Sequence, residues 1–461
     1  MKKILEWVLP FLFCAVFIYG RFIGYGKMND SVAVQDTESY FAAARMNPAS
    51  INFFSQSRSA AYPLLIMLSN PTGEYELTHM SEPYFGTESR LAVQPGTENL
   101  TRNQTILSII CWIAATVLIV SSVNGWFAKA VMAFLILAFG FVPQVADWDS
   151  VLSSESMSIS LFVLMLGLTM KVLPDGKDDH LGSWLAAVML VIVTALWLFT
   201  RDTNAYFVIA EALILIISAV VMWAARKGQR VSALICGFLL AGLFAFQQIT
   251  FRQSDRWMIP LLNNLTSNVF PYEERVEFFA DHEMPTDEDI ITLSGSAEYN
   301  ELYKNEKFTR WAKLYGLDTY QRFLLSMPLW SLLQVYENLD TFFEENLQPF
   351  FYGSDQEKPH WADKPGNLLH PLSAAVILID FLLLILLGIK AVRSGDAADI
   401  RSFLLLILVF FGGGLLMSIS YLGEVRSIWR HVLGGVMALR LMLWLGIGAL
   451  FSGRSEEGFS E

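Results

Sequence analysis

The chain has 461 residues, of which 54% are hydrophobic and 16% are charged, and its mean hydropathy is +0.43. A soluble protein of this composition would need a core far larger than single domains build, so that class is disfavoured. The net charge of −12 argues against a nucleic acid as partner, because such binding depends on Lys and Arg neutralising phosphates. The three cysteines lie in apolar stretches and indicate neither a disulfide framework nor a metal site.

Ten apolar stretches, each about long enough to cross a bilayer, divide the chain. A bilayer core about 30 Å thick needs roughly 20 apolar residues in a helix. Backbone polar groups find no water in lipid, so each stretch is predicted to be helical. The fold class is therefore predicted to be an all-α polytopic membrane protein with about ten transmembrane helices. The stretches are 4–24, 105–123, 128–145, 151–172, 184–200, 205–224, 231–249, 371–389, 402–421 and 431–452.

The basic residues of the short connections predict the orientation of these helices. Lys2 and Lys3 place the N-terminus in the cytoplasm, because Lys and Arg in short loops favour that side. Ten crossings return the C-terminus to the same side. Arg201, Arg426 and Arg430 are the exceptions to the bias in the short loops. The first stretch lacks a small-x-small cleavage site at its end, so we expect a retained helix rather than a signal peptide.

Two long segments, about 25–104 and about 250–370, are then predicted to be extracytoplasmic. The expected organisation is an N-terminal transmembrane module over 1–249, a loop domain over 250–370, and C-terminal transmembrane helices over 371–461. The first segment is typical of short helices broken by turns. In the second, apolar residues recur at helical spacing over 319–343. This spacing fits a helix on the membrane surface or one packed within the outer domain.

Charged and polar side chains collect in the short loops and helix ends of the predicted outer side. Any one of them alone is typical of a solvated loop. Together they suit a reaction on a lipid-linked phosphate, because Arg binds phosphate through two bonds and a carboxylate can take a proton from a hydroxyl. Cations also stabilise a phosphate as it departs. The residues are Asp36, Glu38, Asp147, Asp149, Glu155, Arg201, Asn204, Glu424, Arg430 and His431.

Four short motifs occur in an order typical of one family. They are Asp-Thr-Glu-Ser-Tyr at 36–40, Tyr-Pro-Leu at 62–64, Ser-Glu-Ser at 154–156 and Arg-His at 430–431. In these motifs the chain resembles the GT-C superfamily of membrane glycosyltransferases, and it is similar to bacterial hexose transferases that build surface glycans. Those enzymes use polyprenyl-phosphate or related lipid-linked sugar donors outside the cytoplasm. The resemblance thus implies a multi-pass protein of the bacterial plasma membrane with an extracytoplasmic active site.

The resemblance also implies roles for the outer residues. Asp36 would be the general base, and Glu38 would support it or hold a divalent cation; no other cofactor is implied. The Asp-x-Glu spacing leaves open which of these two carboxylates is the base. The implied substrate-binding residues include a sugar-pocket or cation-orienting set (Asp147, Asp149 and Glu155), phosphate ligands (Arg201, Arg430 and His431), and Asn204 and Glu424.

The implied reaction moves a single sugar from a polyprenyl-phosphate donor to a glycan, lipid or protein acceptor, with inversion of the anomeric carbon. A whole-oligosaccharide donor is less expected, because no large soluble domain follows the last apolar stretch. Two other functions remain open. An O-antigen-type glycan polymerase or ligase also uses outer Arg and His beside a large outer loop. A lipid or solute transporter usually has paired broken helices, and no paired break is evident.

Three ionisable residues, Glu211, Asp380 and Arg440, lie well away from the ends of their apolar stretches and are expected to have partners. Equal distances from the outer helix ends predict that Asp380 and Arg440 pair with each other. The run of three glycines at 412–414 predicts close packing between helix backbones.

Overall fold

The computed structural model describes residues 2–23, 31–69, 96–176, 178–225, 231–293, 299–348 and 362–453. Within these ranges nine helices are long and apolar enough to cross a membrane. A tenth crossing results if Trp126–Phe141 and Pro143–Ser150, which are bent by 57° at their junction, form one span. The described residues therefore confirm an all-α, multi-pass membrane protein. The basic residues near 177 and 226–230 and the end of the chain lie outside them.

Twenty-two α-helices occur in the described ranges. The first eleven are α1 (Lys2–Ile23), α2 (Thr37–Ala44), α3 (Ala61–Ser69), α4 (Glu98–Val120), α5 (Trp126–Phe141), α6 (Pro143–Ala146), α7 (Glu155–Val172), α8 (Leu181–Leu198), α9 (Ala205–Ala224), α10 (Val231–Gln253) and α11 (Met258–Asn264). The others are α12 (Glu273–Ala280), α13 (Glu288–Ile291), α14 (Tyr299–Lys304), α15 (Glu306–Trp311), α16 (Leu317–Ser326), α17 (Pro328–Glu337), α18 (Leu339–Glu344), α19 (Asp363–Leu369), α20 (Ala375–Ser394), α21 (Ala397–Gly423) and α22 (Ile428–Leu450).

Each predicted apolar stretch overlaps a long helix, with shifts at some starts. The helix of the fourth predicted stretch, α7, begins at Glu155 rather than at 151. Residues 147–150 form a 3-10 turn, and Val151 forms a parallel bridge with Val32. The second crossing, α4, begins earlier than predicted. Its polar first turns are buried by the protein, as at Thr101 and Gln104, so hydropathy alone did not include them.

Two helices form the centre of the bundle. The apolar windows of α7 and α22 are 89% and 83% buried, whereas those of the other candidate spans are 22–56% buried. Small residues along α7, such as Ser158 and Ser160, allow its neighbours to approach on all sides. Groups at the starts of α7 and α22 are therefore enclosed by protein rather than lipid.

Both starts lie at the end of the bundle that also carries residues 31–69 and 257–348, here called the loop-bearing end. Residues between Trp257 and Phe323 form an apolar core of their own. The predicted helical region at 319–343 is divided into α16, α17 and α18. The first break falls at Met327, because a residue that precedes a proline is disfavoured in the α-conformation.

The glycines of α21 allow a close approach to α22, as predicted. A Cβ on Gly413 would lie 3.0 Å from Ala438, and one on Gly412 would lie 2.8 Å from Phe207 of α9. The tightest glycine between α21 and α22 is Gly435 of α22. A Cβ there would lie 2.6 Å from the backbone nitrogen of Met417 and 2.7 Å from the carbonyl oxygen of Gly413.

The predicted ion pair between Asp380 and Arg440 is wrong. Arg440 donates to the carbonyl oxygens of Phe343, Glu345 and Pro371 at 2.9–3.3 Å. Both carboxylate oxygens of Asp380 are buried without a hydrogen-bond partner among the described residues. The segment around Phe343 and Glu345 reaches Arg440 from the loop domain. The equal distances of Asp380 and Arg440 from their helix ends could not reveal this contact. Glu211 does find a partner, since Thr169 donates to it at 2.5 Å.

We predict that Gly435→Ala destabilises the bundle by about 1–3 kcal/mol, because the added methyl group meets backbone atoms that cannot rotate away. The matched control is Gly414→Ala, where an added Cβ meets nothing within 4 Å. Thermal unfolding of the purified variants in detergent measures both. Equal melting temperatures for the two variants would contradict the close approach of α21 and α22.

Candidate active site

A short backbone pairing brings the first loop segment to the start of α7. The amide of Val32 donates to the carbonyl of Ser150, and the amide of Leu152 donates to the carbonyl of Val32, both at 2.9 Å. The hydroxyl of Thr37, the first residue of α2, donates to the carbonyl of Leu152 at 2.9 Å. These bonds fix the start of α2, and with it Asp36, beside the start of α7.

A chain of ion pairs joins four loops at this point. Asp36 accepts from Arg58 through one carboxylate oxygen and from Arg430 through the other, each at 2.5 Å. Arg430 also donates to Glu155 at 2.5 Å, and Arg201 donates to the same Glu155 oxygen at 2.9 Å. Arg201 further donates to the backbone carbonyl of Arg430 at 2.7 Å. We call these five side chains the arginine–carboxylate cluster.

The cluster contains three guanidinium groups and two carboxylates, so it carries an excess positive charge. Glu155 is almost fully buried, with 1% of its side chain exposed, whereas Asp36 and Arg58 are 28% and 29% exposed. The cluster therefore opens towards solvent on the side of Asp36. Burial alone would raise the pKa of the Asp36 carboxyl. The charges and hydrogen bonds of Arg430 and Arg58 outweigh this effect and lower that pKa to about 2.

Aromatic and polar side chains surround the cluster. The hydroxyl of Tyr40 lies 3.1 Å from that of Ser154, and the guanidinium of Arg58 lies 4.9 Å from the centre of the Tyr40 ring. His431 is close enough to interact with Arg201 and Arg430. Trp148 stacks on Trp429, with ring centres 6.2 Å apart, and so links the 3-10 turn before α7 to the start of α22.

Of the predicted site residues, Asp36, Glu155, Arg201 and Arg430 contact one another directly, and His431 lies beside them. Asp149 instead forms a buried ion pair with Arg21 of α1 and accepts from Ser156 at 2.7 Å. Asp147 is buried two residues before it.

Three other predicted residues take part in different contacts. Asn204 donates to the carbonyl of Trp197 at 2.9 Å and so holds the turn between α8 and α9. Glu424 is buried and accepts two hydrogen bonds of 3.1 Å from Asn263 of α11. Its burial raises the pKa of its carboxyl. Glu38 is exposed on α2 and forms no ion pair in the ranges that the structure covers.

The resemblance implies that Glu38 could hold a divalent cation, and the neighbouring Asp36 could share such a site only through free carboxylate oxygens. Both oxygens of Asp36 accept from guanidinium groups, so a cation bound there would lie against two positive charges. Elsewhere in the described ranges, no group of three or more His, Cys, Asp or Glu residues is placed to hold a metal ion. The donor set at Asp36 does not fit a divalent cation.

Sequence reasoning did not identify Arg58 or Arg21 as partners of the acidic residues. Arg58 lies in a polar stretch without periodicity, so no pattern distinguished it from solvated surface. Arg21 ends α1 at the loop-bearing end, against the bias that places basic residues in the cytoplasm. This unusual position of Arg21 was the signal in the sequence that could have indicated its partner, because a buried cation at a helix end requires a carboxylate nearby to balance its charge.

No family model matches the chain, and no curated protein matches it. Among solved structures, the chain is similar to the archaeal oligosaccharyltransferase AglB from Archaeoglobus fulgidus, in complex with an inhibitory peptide and a dolichol-phosphate. The sequence identity is 13% and the TM-score is 0.41, with 97% of this chain and 50% of the other covered. The chain thus spans about half the length of that protein. A similarity of this size leaves function to be argued from the residues themselves.

We predict that Asp149→Asn destabilises the protein by about 3–5 kcal/mol, because it removes a buried carboxylate that compensates the charge of Arg21. The double variant Asp149→Asn/Arg21→Gln should lose less than the single one. Asp318→Asn, which removes an ion pair with more than half of each side chain exposed, is the control and should change stability by less than about 0.5 kcal/mol. Chemical unfolding in detergent compares them. A double variant as unstable as the sum of both single changes would exclude this coupling.

Proposed function

We propose that the protein is a membrane glycosyltransferase that moves a single sugar from a polyprenyl-phosphate donor to a glycan, lipid or protein acceptor. The observation that carries this proposal is the arginine–carboxylate cluster, with its excess positive charge at the starts of the two central helices. A lipid-linked phosphate is a ligand whose charged head must stay near the membrane edge while its chain remains in lipid. The order of the four sequence motifs supports the same donor class.

In this proposal Arg430 and Arg201 bind the donor phosphate. Both side chains are mostly buried, at 14% and 15% exposed, so their charges are less screened by water than those of surface residues. Guanidinium groups bind phosphate oxygens through paired hydrogen bonds. Their charge would stabilise the phosphate as the bond to the sugar breaks and negative charge grows on its oxygen.

Asp36 is the proposed general base, and its partners suggest how it is activated. A carboxylate with a pKa of about 2 is a weak base. When the donor phosphate engages Arg430, Asp36 loses one of its two guanidinium partners, and its basicity rises. Donor binding would thereby prepare the base before an acceptor reacts.

The proposed reaction is a direct displacement. The acceptor hydroxyl attacks the anomeric carbon and its proton passes to Asp36, while the bond from that carbon to the phosphate oxygen breaks and the electron pair leaves with the lipid phosphate. One attack from the opposite face inverts the anomeric centre. Glu155 would hold Arg430 and Arg201 in place throughout. We propose that the site lies outside the cytoplasm of a bacterial plasma membrane, with both termini inside, as the distribution of basic residues predicts.

Transfer from a panel of synthetic polyprenyl-phosphate sugars, measured with the full chain in nanodiscs, tests this function. Asp36→Asn should reduce transfer by at least about a hundredfold, because general-base catalysis typically contributes a factor of 10²–10⁴. The matched control is Glu38→Gln, which removes an exposed neighbouring carboxylate and should keep most activity. Thermal unfolding of each variant shows whether the fold is retained.

Two results would refute parts of this proposal. Full transfer by a folded Asp36→Asn variant would exclude Asp36 as the base, and loss of transfer in Glu38→Gln alone would assign the base to Glu38. Absence of transfer by the wild-type chain from every donor of the panel, with a panel of glycan, lipid and peptide acceptors, would reject the donor class.

A further inference from the structure

Helix α17 presents an apolar face that no described part of the protein covers. Leu329, Leu332 and Tyr336 are each about 70% exposed, Leu333 is 44% exposed, and Leu325 at the end of α16 is 80% exposed. Their spacing of three and four residues places them along one side of the helix. The sole charged residue of α17 is Glu337, at its last position. Scattered exposed leucines are ordinary, but a continuous row of this kind indicates a binding surface.

The opposite side of α17 is packed against the protein. Trp330 contacts Phe323 with ring centres 5.2 Å apart, and Ser331 donates to the carbonyl of Leu324 at 3.2 Å. Val335 packs against the cluster formed by Tyr421, Val432 and neighbouring residues. The orientation of α17 is therefore fixed. Its exposed apolar side, here called the leucine face (Leu325, Leu329, Leu332, Leu333 and Tyr336), points away from the core of the loop domain.

The position of α17 relates this face to the membrane. It contacts α21, and the α18 helix that follows it contacts α22, both of which are candidate spans. The outer parts of the adjacent spans expose large apolar side chains as well, including Leu378 of α20 and Leu415 of α21. Helix α17 thus lies next to spans whose exposed apolar side chains face lipid in a multi-pass arrangement of these helices.

We propose that α17 lies in the bilayer interface of the loop-bearing side, with Leu325, Leu329, Leu332 and Tyr336 inserted at the boundary between headgroups and acyl chains. An amphipathic helix can lie in this plane with its apolar face buried. Because α17 contains neither Lys nor Arg, apolar burial rather than attraction to anionic lipid holds it there. The contact would fix the loop domain against the membrane independently of the proposed enzyme activity.

Site-directed spin labelling tests the contact in the full chain. The three native cysteines are buried and so are protected from the label. Leu329 and Leu332 are exposed, so replacing either one with cysteine removes no buried contact. Leu382→Cys, on the exposed side of α20, serves as the lipid reference. Asp289→Cys, on the acidic helix α13, serves as the water reference. The protein is reconstituted in nanodiscs of zwitterionic phosphatidylcholine alone, and collisions with oxygen and with a water-soluble nickel chelate are measured.

We expect oxygen-to-nickel collision ratios at both α17 positions to be several-fold higher than at Asp289 and to approach the ratio at Leu382. A ratio equal to that at Asp289 would mean that the face is in water. Low collision rates with both reagents would mean that protein, such as a second copy of the chain, covers it. Either result would overturn the proposal, and neither depends on glycosyl transfer.

Discussion

The buried carboxylate of Glu155 constrains the whole loop-bearing end. It lies at the start of the most enclosed helix, where an uncompensated charge would cost several kcal/mol. Arg430 from the start of α22 and Arg201 from the turn before α9 supply the compensation. One carboxylate thereby joins the two central helices to a third. Because two guanidinium groups surround one acidic group, a second negative charge is needed, and Asp36 of the first loop segment supplies it.

Two of the ion-pair systems at this end, the Arg21–Asp149 pair and the arginine–carboxylate cluster, differ in charge balance and in exposure to solvent. Arg21 and Asp149 are 1% and 4% exposed, and Arg21 also donates to Gly140 and Ser108 within the bundle. This pair balances its own charge and is closed to solvent. The arginine–carboxylate cluster has an excess positive charge and opens at Asp36. Buried ion pairs are weak evidence for stability. The unbalanced, partly open cluster is therefore the one that we propose binds a ligand.

The sequence predicted the spans well because apolar length is read directly from residue order. It also assigned Asp36, Glu155, Arg201 and Arg430 to one side of the membrane, where the structure brings them together. The partners of individual charges could not be predicted in the same way. Arg440 finds backbone carbonyls, Asp149 finds Arg21, and Asn204 holds a turn, since each choice depends on side-chain direction and on where loops re-enter the bundle. Helical spacing fixes neither of these.

The loop domain is fastened to α21 and α22 on both sides of the site. Asn263 and Asn264 bind Glu424 and the carbonyls at the end of α21, and Tyr320 donates to the carbonyl of Leu422 at 2.8 Å. At its other end, the carbonyls of Phe343 and Glu345 hold Arg440, ten residues or about 15 Å along α22 from Arg430. One attachment precedes Arg430 in the sequence, at the end of α21, and the other follows it along α22. A shift of the loop domain relative to α21 and α22 would therefore act on the position of Arg430. This linkage gives the loop domain a physical route to the proposed base at Asp36.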